Sequence, residues 1–282
     1  MAKLILNKYY IVIAFSFYQI WGQISGFEIK EYHPISDEIS FLGLEPSKFS
    51  WSIGNRFLLL DEVKNQIVEI DKAGQLLFPS ELSVNSIYGE YIWMGVMPEG
   101  IGVVDRLENT IQVLDFRLNQ NIVMKIEPKL YPEMVAINSW GILYFYSKAF
   151  NSIFSFNRSL LNTISFIDLT KERIPNNCFM DMVLSADGDL ALLSCSGSLY
   201  LFSINGKLKL EAPVEINNPK YIISIKDDWL IFNDDGNVHS METGISFNVP
   251  ELSMPILDIQ SNNNSIAILS SDQIFILEDR KS

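Results

Sequence analysis

The chain is poor in the residues that many binding chemistries need. Its 282 residues include two cysteines and two histidines. Two cysteines exclude a disulfide-dense mini-scaffold and a four-cysteine zinc site. With His33 and His239 as the whole histidine supply, a multi-histidine metal centre is excluded as well. Basic residues are scarce: 21 Lys and Arg stand against 34 Asp and Glu, for a formal charge of -13. Nucleic acids and anionic lipid surfaces are held by clustered Lys and Arg, so neither is expected as a partner. There is no G-x-x-x-x-G-K-[ST] loop, no G-x-G-x-x-G turn and no G-x-S-x-G elbow. There is also no long apolar stripe of helical period, so helices should be few.

Apolar and aromatic residues are plentiful, at 48% and 12%. That composition is too apolar for a disordered chain and suits a sizeable core. The first 22 residues read differently from the rest. Lys3 and Lys8 precede a thirteen-residue apolar run, Tyr9 to Trp21, and small residues follow at Gly22, Ser25 and Gly26. A basic start, a short apolar run and a small-residue site form the pattern of an export signal. The run is short for a membrane span, which takes about 20 apolar residues. Cleavage is expected after Gly22, with Ser25 as the second choice. Ile20 at the -3 position leaves an uncleaved anchor as the alternative. On this reading residues 23–282 form one exported domain, periplasmic or extracellular, that works as a monomer without stable membrane insertion.

That domain is built from six copies of one pattern: apolar strand, polar turn, apolar strand. The copies are FLLLDEVKNQIVEID from Phe57, IGVVDRLENTIQVLD from Ile101, LYFYSKAFNSIFSFN from Leu143, LALLSCSGSLYLFS from Leu190, WLIFNDDGNVHSME from Trp229 and IAILSSDQIFILE from Ile266. Aligned on the first apolar residue after the turn, they share the column Ile67, Ile111, Ile153, Leu199, Val238 and Ile274. Two residues earlier stand Asn65, Asn109, Asn151, Gly197, Gly236 and Asp272, all suited to left-handed or side-chain-bonded turns. Three residues later stand Ile70, Leu114, Phe156, Phe202, Met241 and Leu277, all apolar. Further strands lie upstream, such as SIYGEYIWMGVM (Ser86 to Met97), FMDMVLS and ILDIQ, and downstream, such as GQLLFP, IVMKIE and TISFID. Units of about 40 residues with four short strands predict an all-β, six-bladed β-propeller of four-stranded antiparallel blades. The last copy lacks an outer strand, and Phe27 to Tyr32 is a spare strand near the start. The N-terminal strand is therefore expected to complete the last blade, since an open blade would expose an unpaired edge.

The first copies resemble NHL-type propeller repeats. Asp61, Asn65, Ile67, Asp71 and Gly74 match that pattern; Asp105, Asn109, Ile111 and Asp115 match it without the glycine. The third copy keeps Asn151 and Ile153 but has Ser147 for the first Asp. Ser185 to Asp189 (SADGD) resembles the corner of TolB-like propellers. The resemblance implies a six-bladed ring around a central channel, used for recognition or for hydrolysis, and transfers no catalytic residue.

Candidate sites are few. Asp234, Asp235, Asn237, His239 and Glu242 offer oxygen and nitrogen donors around Gly236, so calcium at Asp234, Asp235 and Asn237 is one reading and an inter-strand turn the other. Asp61 and Asp105 sit at matching strand ends, as an acid–base or metal pair or as turn caps. Ser152, Ser194, Ser196 and Ser198 have no nucleophile elbow and little choice of histidine base, and Cys195 lacks a nearby base and an electropositive setting. Trp51, Trp93, Trp140, Trp229, Tyr88, Tyr91, Tyr144 and Tyr146 could form a platform or pack between blades. Glu127 to Met134 and Thr170 to Asn177 are the connections best placed to carry specificity. Cys178 and Cys195 flank the SADGD turn. A four-residue loop Ser185 to Gly188 would put Leu184 opposite Asp189 and Cys178 opposite Cys195, within disulfide reach; a two-residue Asp187-Gly188 turn would instead set Cys178 opposite Gly197, and two buried free thiols are the other reading. The function this supports is a binding or scaffolding module for a protein, peptide or glycan at a channel face. The alternative is a metal-dependent hydrolase or lyase of the gluconolactonase kind.

Overall fold

A computed structural model describes residues 27–79, 89–157, 160–175, 178–249, 255–262 and 264–279. The expected export signal and its cleavage sites, Ser86 to Tyr88, and Asn176 and Asn177 lie outside these described residues. The chain opens with β1 (Phe27–Pro34) and a single-turn helix, α1 (Asp37–Phe41). Blade 1 is β2 (Lys48–Ser52), β3 (Arg56–Asp61), β4 (Gln66–Ile70) and β5 (Leu76–Pro79). Blade 2 is β6 (Tyr91–Met97), β7 (Gly100–Asp105), β8 (Thr110–Leu114) and β9 (Gln120–Lys125). Blade 3 is β10 (Met134–Ile137), β11 (Leu143–Ser147) and β12 (Ser152–Asn157), with β13 (Leu160–Leu161) and β14 (Ile167–Asp168) both paired to β12. Blade 4 is β15 (Phe179–Leu184), β16 (Leu190–Ser194), β17 (Ser198–Phe202) and β18 (Leu208–Pro213). Blade 5 is β19 (Tyr221–Ile225), β20 (Asp228–Phe232), β21 (Asn237–Ser240) and β22 (Ser246–Asn248). Blade 6 is β23 (Asp258–Asn262), β24 (Ser265–Leu269) and β25 (Gln273–Asp279), completed by β1.

The ring therefore closes as the spare strand implied. β1 pairs antiparallel with β25, Phe27 opposite Asp279 and Tyr32 opposite Phe275. A Lys30–Glu278 ion pair crosses the same seam.

Burial explains the repeat columns. Ile67, Ile111, Ile153, Leu199, Val238 and Ile274 are all 0% exposed. They join six apolar clusters among the described residues, one for each pair of neighbouring blades. The anchor residue is thus the inter-blade core, and its burial is the main stabilising term. In the turn column Asn65, Asn109, Asn151, Gly197 and Gly236 all have positive φ. Asp272 departs from the column. Leu269 faces Ile274 across four intervening residues, where Leu60 faces Ile67 across six, so the shorter sixth turn needs no left-handed residue there.

The Asp-x-x-Gly ending of the first copy has a direct cause. Asp71 Oδ1 accepts the N–H groups of Ala73 and Gln75. Gly74 has φ of 77°, and a Cβ there would lie 1.7 Å from the carbonyl oxygen of Pro34, at the end of the closing strand. In the second copy Asp115 makes the same turn, and Leu118 takes the left-handed place with φ of 65°. The TISFID strand is not continuous: Asn162 to Phe166 bulge outward between β13 and β14.

Candidate functional site

Each blade starts with its innermost strand, so β2, β6, β10, β15, β19 and β23 surround the central channel, each in contact with the next around the ring. Alternation of strands puts the described second-to-third-strand turns and blade-to-blade connections on one side of the ring, here called the mouth face. The channel encloses a cavity of about 410 Å³ lined by Lys48, Trp93, Glu133, Asp181, Asp258 and Gln260, among others.

Three polar side chains of this lining each reach the following blade. Asp258 Oδ2 accepts the backbone N–H of Phe49 at 3.0 Å, from blade 6 to blade 1. Lys48 Nζ donates to the carbonyl of Ile92 at 3.0 Å, from blade 1 to blade 2. Asp181 Oδ2 accepts the N–H of Ile222 at 2.8 Å, from blade 4 to blade 5. Both carboxylates also accept the N–H of the residue after them, Met182 and Ile259. Burial within the ring pushes the Asp181 pKa up to about 6, against the pull of the Ile222 and Met182 N–H groups and of Lys48. Burial likewise pushes Asp258 up to about 7, opposed by Lys48 and the Phe49 N–H and reinforced by the charge of Asp181. Lys48 itself is ion-paired with Glu62 at 3.3 Å.

The mouth face is divided. On blades 1 to 3 its turns and connections expose Phe41, Val63 (92%), Leu107 (52%), Tyr131 (45%) and Phe150 (50%). On blades 4 to 6 the corresponding turns are polar: Cys195-Ser196-Gly197, Asp234-Asp235-Gly236 and Ser271-Asp272. Tyr131 is held up by Asn109, whose Oδ1 accepts the N–H groups of Leu130 and Tyr131 at 2.9 and 3.1 Å. That fixes the Glu127 to Met134 connection against the second turn. In the Thr170 to Asn177 connection, Arg173 has φ of 62° and Asn151 Nδ2 donates to Thr170 Oγ1 and to the carbonyl of Ile174.

The residues singled out in the sequence scatter. Asp61 caps its own turn through Val63 and Lys64 and holds the Glu45 N–H; Asp105 accepts from Glu90 and Glu108. They serve separate blades. In the NDDGN turn it is Asn233 Oδ1 that accepts from Asp235 and Asn237, while Asp234 pairs with Lys220 at 3.4 Å and Asn237 Oδ1 accepts from Asn248. His239 is buried beside Ser246 Oγ, and Glu242 takes part through its backbone N–H, which donates to Asp228 Oδ1. His33 bonds the carbonyl of Lys72 on the outer rim. Among the described residues no three His, Cys, Asp or Glu side chains converge on one point. Ser194 Oγ accepts the Ser198 N–H within its turn. Tyr91, Tyr144 and Tyr146 are buried and Trp93 lines the channel, whereas Trp140 is 60% exposed on the side opposite the mouth.

Cys178 and Cys195 are joined, with Cα atoms 5.3 Å apart. The register beneath them differs from the one expected. Leu184 faces Leu190, not Asp189, because the loop spans Ser185 to Asp189. A bulge between Phe179 and Asp181 then absorbs one residue, so Phe179 faces Ser194 and the cysteines end opposite each other. The Cys195 N–H donates to the Cys178 carbonyl at 2.9 Å, so the facing pair is hydrogen-bonded.

The fold defines the class of protein: a six-bladed β-propeller. No protein-family model and no curated protein sequence matches the chain. Solved structures do. A catalytically inactive histidine-to-alanine variant of virginiamycin B lyase from Staphylococcus aureus, crystallised with quinupristin, matches with a TM-score of 0.59 at 15% identity, over 82% of this chain and 79% of that one. A streptogramin B lyase matches with a TM-score of 0.58 at 14% identity, over 88% and 97%. BBS1N, solved in complex with ARL6DN, matches with a TM-score of 0.58 at 10% identity, over 92% and 98%. At these identities the likeness is one of fold.

Proposed function

We propose that this chain is an exported binding propeller whose mouth face docks a protein or peptide. The observation that carries the reading is the apolar arc of Phe41, Val63, Leu107, Tyr131 and Phe150, contributed by consecutive blades around one side of the channel mouth. Exposed apolar side chains gathered beside a polar rim suit an interaction surface, and turns on a rigid ring are where binding residues collect. Protein binding by this architecture has a parallel in BBS1N with its partner ARL6DN. A glycan ligand would draw on Trp140, which stands on the other side of the ring. Panning a displayed random-peptide library against residues 23–282 tests the proposal. Selected peptides should bind the double variant Leu107→Asp with Phe150→Asp at least about tenfold more weakly, a cost of about 1.4 kcal/mol or more, and bind Trp140→Asp unchanged. Peptides that lose affinity only for Trp140→Asp would overturn it.

A further inference from the structure

Blade 4 brings three sulfur atoms together at the mouth face. Cys178 and Cys195 are bonded across β15 and β16, and Met180 Sδ lies 3.1 Å from Cys195 Sγ. All three residues are exposed. The bulge between Phe179 and Asp181 sets this arrangement, because it absorbs the extra residue, Met180, next to the cysteine pair. Bulges that re-aim one side chain recur next to functional sites. The core does not account for Met180: Met182 and Phe179 pack into the cluster between blades 3 and 4, whereas Met180 is 39% exposed.

We propose that, when the Cys178–Cys195 bond is reduced, Cys178, Cys195 and Met180 form a three-sulfur site for a soft monovalent cation of the copper(I) type. Thiolate and thioether ligands select such an ion over the hard, oxygen-seeking divalent ions. The spacing suits it. Cysteines with Cα atoms 5.3 Å apart hold their sulfurs within bonding reach of each other, so both can turn to one ion placed between them. Met180 Sδ, 3.1 Å from Cys195 Sγ, is near enough to join the two thiolates as a third ligand. The redox step balances with an external dithiol. It gives two electrons and two protons to the bond, becomes a disulfide itself, and leaves two thiols that lose both protons when the ion binds. The disulfide thus acts as a gate, closed when oxidised and open when reduced.

The test is an anaerobic competition titration of residues 23–282 with copper(I) and a coloured chelator, run on the disulfide form and on the phosphine-reduced form. The reduced form should take one equivalent from the chelator and the disulfide form none. Met180→Leu should bind at least about tenfold more weakly, and X-ray absorption should show three sulfur ligands falling to two. Cys178→Ser with Cys195→Ser should abolish binding. Equal affinities for the reduced parent and Met180→Leu, or no competition by the reduced parent, would overturn the proposal. Met180→Leu lies on the surface, so it keeps the test sound if the cysteine variants fold poorly.

Discussion

Asp258 in the last blade accepts a hydrogen bond from the backbone N–H of Phe49 in the first, at 3.0 Å, across the seam where the ring closes. Asp181 repeats the contact with Ile222 between blades 4 and 5. Both carboxylates face a cavity walled by protein, and both hold their protons more tightly than a free Asp for that reason.

Stability should therefore rise on mild acidification. The folded pKa values of about 6 and about 7 lie above the unfolded value, so the folded state binds more protons between about pH 4 and pH 7. The stabilisation is present in full below that window and is lost as pH climbs through 6 and 7. Glu31, Asp115 and Asp168 are shifted the other way, and their loss of stability falls below the ordinary carboxylate range. Urea melts should give a higher midpoint at pH 5.5 than at pH 8. Asp258→Asn should reduce the difference to the share of Asp181 and raise stability at pH 8 by roughly 1–2 kcal/mol. A midpoint that increases steadily from pH 5.5 to 8 would contradict this.

Ring closure depends on β1. Deleting residues 23–36 removes the outer strand of blade 6 and uncovers the edge of β25. The truncated protein is expected to melt at least 10 °C lower or not to fold, since several kcal/mol of strand pairing and burial are lost. A melting temperature within a degree or two of the parent would count against the closure.

The repeat columns should separate by mechanism. Ile111→Ala empties a fully buried inter-blade site and should cost about 3 kcal/mol. Asn109→Ala should cost about 1–3 kcal/mol, because it strands the N–H groups of Leu130 and Tyr131 and leaves alanine at φ of 53°. Val63→Ala, at an exposed turn tip, should change stability by less than about 0.5 kcal/mol. Chemical denaturation of the three variants gives the ranking.

Export and oxidation are checked together. Protein collected outside the cytoplasm should have a mass corresponding to an N-terminus near Gln23 and no titratable thiol in denaturant. Removing the disulfide should cost about 3 kcal/mol on the loop-entropy estimate. Met1 retained in cytoplasmic protein with two free thiols would refute the export reading.

Much of the fold was legible because a propeller repeats its physics. A buried anchor such as Ile111 and a left-handed turn residue such as Asn109 recur at fixed offsets, and the missing last strand pointed to Phe27 to Tyr32. The channel was not legible. Which inner-strand side chain faces it depends on register and on bulges, as at Met180, and these follow from contacts between distant blades. One signal was present: FMDMVL carries an aspartate inside an otherwise apolar first strand, and in ILDIQ an aspartate follows two apolar residues at the start of another. The cysteine pairing illustrates the limit, since a longer loop and a bulge cancelled to bring Cys178 opposite Cys195.

The central claim is that the mouth face is the binding face. Hydrogen–deuterium exchange of residues 23–282, alone and with a library-selected ligand, tests it most directly. The account predicts added protection at the turns around Val63, Leu107 and Phe150 and in the connection through Tyr131. Protection confined to the opposite turns, around Ile53 and Trp140, would contradict it.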